Sequence, residues 1–224
     1  MSIKEILYKS SFIRNLTYKI KLDRANRKKW IQGDNIKIDN QGRFYKVTQK
    51  VIGNNNTIII GKYTTVSNAR IVIVGNNNTI RLGNGCGFEG GVLWIEGCNN
   101  RITLGDRVKV MDASFAAIED NQSITVGDDS LFSYQVEVRT SDSHSIIDTE
   151  SNKRINKPQS ILIGKHVWVG AMVSILKGVT LGDNSIVGTR SIVTKDVPPN
   201  TVAAGIPAKV IKTNVNWSYD HIKD

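Results

Sequence analysis

From Ile163 to Lys209 an apolar residue returns every six positions: Ile163, Val169, Ile175, Leu181, Val187, Val193. Four residues after each stands a small or β-branched one: Val167, Val173, Val179, Ser185, Ser191, Val197. A period of six fits neither a plain strand nor a helix. Sustained this long, it marks a solenoid whose short units bury their apolar sides only by stacking on their neighbours. Three sixes make one triangular turn of 18 residues, the interval at which Ile163-Gly164 returns as Leu181-Gly182.

A longer period precedes it. Ile38, Ile60, Leu82, Leu104 and Val126 stand 22 residues apart, and Phe44, Val66, Phe88, Val110 and Phe132 form a parallel ladder. Each such coil reads as two sixes and a ten-residue side. The corner repeats as Gly53-Asn54-Asn55-Asn56, Gly75-Asn76-Asn77-Asn78, Gly97-Cys98-Asn99-Asn100 and Glu119-Asp120-Asn121-Gln122. Asn and Gly tolerate left-handed backbone angles, and stacked Asn side chains bond along a ladder. These corners read as structural, with a sugar-binding face as the alternative.

The two periods join badly. Continuing in sixes from Val126 leaves about 19 residues too many between Val138 and Leu162. They must leave the coil, and a long excursion from a regular stack is a candidate functional loop. The loop spans about 139–160 and carries His144 beside Asp142, with Asp148 close by. A carboxylate on one ring nitrogen would fix the tautomer. Trp168, by register, points out of the coil, so it covers a ligand or a neighbouring subunit.

The 224 residues divide into a basic helical segment (1–35), a solenoid (36–209) and a polar tail (210–224). Ile3, Ile6, Leu7, Phe12, Ile13, Leu16 and Ile20 fall at helical spacings. The charge of +10 is concentrated there, with nine basic against two acidic residues in 1–29. Such a segment packs on the end of the solenoid or rests on an anionic membrane. No apolar run approaches 18 residues and no secretory leader is apparent, so the expected location is the cytoplasm, with peripheral contact at the inner membrane face. Cys86 and Cys98 are too few for a disulfide framework and lack metal-site spacing. Neither a metal nor a nucleic-acid partner is expected.

The runs Ile163-Gly-Lys-His-Val-Trp-Val-Gly-Ala, Gly188-Thr-Arg-Ser-Ile-Val-Thr-Lys-Asp and Ala203-Ala-Gly-Ile-Pro-Ala-Lys resemble the hexapeptide-repeat O-acetyltransferases. Ser141-Asp-Ser-His-Ser, followed 24 residues later by Trp168, looks most like the capsule and polysialic acid O-acetyltransferases. The resemblance implies an all-β, left-handed parallel β-helix, an exception to the usual right-handed crossover. It implies a homotrimer with active sites between subunits, acetyl-CoA as donor, and direct transfer to a hydroxyl of a bacterial surface polysaccharide. His144 would be the general base, and Trp168 would line the acetyl and pantetheine site together with Ser143. Gly170, Ala171, Thr189, Ala203 and Ala204 would approach the pantetheine, with Arg190, Lys195 and Lys209 at the phosphates. Arg139, Asp142, Lys153 and Arg154 would face the acceptor, an anionic glycan such as polysialic acid. A non-catalytic glycan-binding solenoid and transfer to the amine of an amino sugar are the alternatives.

Overall fold

A computed structural model of the protein describes residues 29–222. They form a parallel β-solenoid of triangular section, with no helix among the described residues. Three sheets make its walls. Wall 1 has eight strands, from Lys29–Gln32 to Ile192–Val193; wall 2 has seven, from Lys37–Asn40 to Thr180–Leu181. Wall 3 has nine, from Arg43–Tyr45 to Ala208–Thr213. The chain visits walls 1, 2 and 3 in turn, so every strand but the last, Ala208–Thr213, pairs in parallel with the one a full coil away.

The six-residue heads are the core. Ile163, Val169, Ile175, Leu181, Val187 and Val193 are all buried, as are all six fifth-position residues. Stacking Phe44, Val66, Phe88, Val110, Phe132, Val169, Val187 and Ala203 down wall 3 is the observed register. Ile38 is the exception to the 22-residue ladder. It pairs with Ile58, and the residue level with Ile60 is Asn40, because the first coil turns its second corner with two residues fewer. That leaves Ile38 38% exposed at the end of the stack.

The solenoid begins earlier than residue 36. Lys29–Gln32 already pairs with Thr48–Ile52. The helical reading of the basic N-terminal segment (1–35) falls outside the described residues over 1–28, and over the rest Lys29–Gln32 is a strand instead. Nor does the solenoid end cleanly at 209. Ala208–Thr213 folds back antiparallel on Thr201–Gly205, and Trp217 beyond it is buried.

The asparagine corners all lie on the edge between walls 1 and 2. Asn55, Asn77, Asn99 and Asn121 take φ of 57° to 61°. Asn56, Asn78 and Asn100 point inward and are fully buried. Each bonds along the axis: Asn78 Nδ2 donates to the Gly97 carbonyl at 2.9 Å, and its Oδ1 accepts from the Asn100 N–H at 2.9 Å. These groups are satisfied within the ladder, which supports the structural role.

Candidate active site

The excursion occupies residues 140–160, between Val136–Arg139 on wall 1 and Ile161–Ile163 on wall 2. It is therefore the next corner in the asparagine edge, expanded into a flap. Its two arms meet at an antiparallel bridge between Ile147 and Arg154.

Buried and half-buried polar bonds pin the flap at its base. Arg154 donates to both oxygens of Glu119, at 2.5 and 2.7 Å. Ser141 donates to Glu119 Oε1 at 2.5 Å. Asn156 Nδ2 donates to Asp142 at 2.8 Å and to the His144 carbonyl at 2.7 Å, while its Oδ1 accepts from Ile146 N–H. Lys177, one coil on, pairs with Asp142. Arg139 donates to the Ser141 carbonyl and to Ser143 Oγ. The bond from Arg154 holds the Glu119 carboxyl down at about 2. Lys177, then Asn156, depress Asp142.

His144 rides on this pinned frame. Its backbone is held by Asn156, while its ring is exposed and has no partner among the described residues. Asp142 and Asp148 do not orient it: one is taken by Lys177 and Asn156, the other by Ser151. Three of the four residues expected at the acceptor, Arg139, Asp142 and Arg154, thus have partners inside the chain, and only Lys153 projects free into solvent.

The expected donor residues gather elsewhere. Trp168 lies on wall 3, 41% exposed. Gly170-Ala171 and Thr189-Arg190 are successive coils of the edge between walls 3 and 1, where the Ala171 carbonyl accepts from Arg190 N–H at 2.8 Å. A Cβ on Gly170 would stand 2.8 Å from the Thr189 nitrogen, so only glycine allows this approach. Ala203 and Ala204 follow on wall 3, with Lys209 opposite Ala204. Ser143 and Lys195 do not join this set. Ser143 is on the flap, and Lys195 is on the flap's edge, between wall 1 and the Val197 bridge. Wall 3 is opposite that edge, so His144 and Trp168 of one chain face different sides.

Several residues here escaped sequence reading. Glu119 takes the corner position that Gly53, Gly75 and Gly97 fill, with φ of 69°. A non-glycine in a left-handed position signals a special site, and that break in the motif was its visible trace. Trp217 stacks on His166 at 4.2 Å between centroids and lies 5.9 Å from Trp168. Its indole N–H donates to the His166 carbonyl. Asn156 and Lys177 carried no sequence signal. No cluster of three or more His, Cys, Asp or Glu suited to a metal exists among the described residues.

A solenoid of hexapeptide coils, broken once by a pinned flap that bears a histidine, defines the class. Residues 160–195 match the family model described as bacterial transferase hexapeptide (six repeats). The chain belongs to the hexapeptide-repeat O-acetyltransferases, and its coils have their left-handed parallel β-helix form. It is similar to the crystal structure of the polySia-specific acetyltransferase NeuO, with 33% identity, a TM-score of 0.76, and 87% of this chain and 91% of that one covered. It is also similar to the polysialic acid O-acetyltransferase OatWY, with 29% identity, a TM-score of 0.82, and coverage of 87% and 92%. A polysialic acid O-acetyltransferase of Escherichia coli O1:K1 / APEC is 43% identical over 106 residues, 47% of this chain. The match spans about a third (34%) of that relative's length.

Proposed function

We propose that the protein transfers an acetyl group from acetyl-CoA to a hydroxyl of an acidic bacterial surface polysaccharide, polysialic acid or a glycan of similar charge. The single observation that carries this reading is the flap: a rigid polar frame that holds one imidazole out with its ring free. The likeness over most of the chain to two polysialic acid acetyltransferases supports the acceptor class.

A hydroxyl is a weak nucleophile at neutral pH. His144 accepts its proton as the oxygen attacks the thioester carbonyl carbon. The carbon–oxygen bond forms, the oxyanion is met by backbone N–H donors, and the carbon–sulfur bond breaks. The imidazolium then returns its proton to the departing thiolate. Trp168 offers its ring beside the acetyl group. The close-packed edge from Gly170 to Ala204 takes the pantetheine, and Arg190 and Lys209 meet the phosphates. Because His144 and Trp168 point to different sides of one chain, a second copy completes the site, and a trimer with three such clefts is the natural closed form. The reaction runs in the cytoplasm, where the donor is made.

The test is mass spectrometry of an acidic glycan panel incubated with the protein and acetyl-CoA, with mild alkali to distinguish an ester from an amide. His144→Ala should lower kcat by ~100-fold or more without altering the fold. Thiol release undiminished in that variant would remove His144 from the mechanism.

A further inference from the structure

Wall 1 is wide only in its early coils. Its strands run five or six residues in Thr48–Ile52, Arg70–Val74, Gly91–Glu96 and Ala113–Ile118, but two in Ser174–Ile175 and Ile192–Val193. The ten-residue side of each 22-residue coil thus makes a broad outer face that the plain six-residue coils lack. The register sets one outward row along the axis: Trp30, Lys50, Val72, Trp94, Ala116 and then Arg139 at the base of the flap. Five steps at ~4.8 Å between strands make this row roughly 24 Å long.

Its chemistry is mixed in a particular way. Trp30 is 60% exposed, and the Lys50 ammonium stands 5.5 Å over its ring. A groove of about 330 Å³ runs from Lys50 and Arg70 over Val72 and Val74 to Trp94 and Glu96. A second hollow of about 260 Å³ adjoins it through Lys50, beside Trp30. Beyond Trp94 the row continues over half-buried Ser114 and buried Ala116 to Arg139. The acidic groups are Glu96 at the margin and Glu137, which pairs with Arg139 at 3.1 Å.

We propose that this row is a track for an extended acidic polysaccharide, which it delivers toward Arg139 and His144. The proposal rests on the acidic-glycan reading above and adds where the chain outside the reacting sugar is bound. Indole faces take the C–H faces of sugar rings, and Lys50 and Arg70 between them meet carboxylates. A length of about 24 Å exceeds one sugar residue, so the track rewards polymer over monomer. A face that joined two copies would be depleted of charge; here Lys50 stands in the row itself, between Trp30 and Val72, and Arg70 lines the same groove.

The experiment is titration calorimetry of the full chain carrying His144→Ala, so that turnover does not intrude. The probes are long polysialic acid, a sialic acid trisaccharide and neutral dextran. The long chain should bind more tightly than the trisaccharide, and dextran should not bind. Trp94→Ala and Lys50→Glu should each weaken the long chain about tenfold and erase its advantage. Unchanged long-chain affinity in both variants would overturn the track while leaving the acidic acceptor standing. If the parent binds neither acidic probe, the acceptor reading itself fails. Light scattering covers the remaining case: variants that lose their oligomeric state would make this face a contact between copies.

Discussion

Arg154 grips Glu119 through two guanidinium nitrogens, at 2.5 and 2.7 Å, and so ties the returning arm of the flap to the coil beneath it. The pair is only about a quarter exposed on either side. A bidentate, partly desolvated contact of this kind fixes direction as well as distance. It decides where the flap, and His144 with it, stands relative to the edge of the solenoid.

Arg154→Ala should therefore loosen the flap rather than unfold the protein. The expected result is a fall in kcat of about tenfold, with global stability changed by less than about 1 kcal/mol, since the pair sits near the surface. Arg154→Lys should rescue little, because one ammonium cannot reproduce the fork. Steady-state kinetics beside thermal unfolding separate these outcomes. Limited proteolysis should show new cleavage within 145–153.

The same contact sets an acid limit. Glu119 titrates at about 2, depressed first by its bond from Arg154. An unfolded glutamate titrates near 4.3. A depressed carboxylate contributes stability that is full above the unfolded value and is lost as pH falls through the folded one. Asp142, held by Lys177 and Asn156, shifts in the same direction. Hydrogen exchange of the 141–156 amides, corrected for intrinsic rate, should be as slow at pH 5 as at pH 7. It should rise only as pH falls from about 4 toward 2. Early loss of protection would show that the pair does not anchor the flap.

The tail makes a separate prediction. Trp217 is 8% exposed, stacked on His166 and edge-on to Tyr219 at 4.9 Å between centroids. Trp217→Ala should destabilise this corner by about 2 kcal/mol, below the range for a fully enclosed ring because the tail has fewer neighbours. Amide exchange at 165–169 should quicken, and the KM for acetyl-CoA should rise more than kcat falls, because Trp168 loses its side support.

How much of this was legible follows from what makes each part. Hexapeptide heads such as Ile163 and Val187 are set by burial, and burial leaves a period in the chain. The flap announced itself as residues the period could not absorb, and His144 came with it. Ile38 misled because a corner two residues shorter, which leaves no compositional trace, sets it level with Ile58 instead of Ile60. The pinning network was invisible for a different reason. Glu119 and Arg154 are 35 residues apart, and Lys177 and Asp142 likewise, so only the coil-over-coil register makes them neighbours. Trp217 escaped because its place depends on a chain reversal before Ala208 that no repeat predicts.

Two buried side chains among the described residues keep polar atoms without partners, Ser185 at its hydroxyl and Gln49 at its whole amide. Gln49 is 1% exposed, and neither its Nε2 nor its Oε1 has a hydrogen-bond partner. An amide buried without partners costs about 1–3 kcal/mol. Gln49→Leu keeps a similar volume on the inner face of wall 1 and should stabilise the protein by about 1 kcal/mol in chemical denaturation. A loss of stability would mean that the amide serves a contact at the open end of the stack.

The asparagine edge gives the opposite case, a buried amide that is fully used. Asn78 accepts from the Asn100 N–H, donates to the Gly97 carbonyl, and gives its own N–H to Asn56 Oδ1 at 3.0 Å. Asn78→Leu or Asn78→Ala leaves the Asn100 N–H and the Gly97 carbonyl, a donor and an acceptor in the same corner of the next coil, without partners, so the cost falls on that coil. The expected destabilisation is about 2–4 kcal/mol, measured by denaturant unfolding. Asn77, at the exposed apex with φ of 59°, should lose only about 1 kcal/mol on change to Ala, since strain rather than a buried bond is at stake. Asn77→Gly should recover most of that loss, whereas Asn78→Gly should recover nothing, and this contrast separates the two roles that neighbouring asparagines play in one corner.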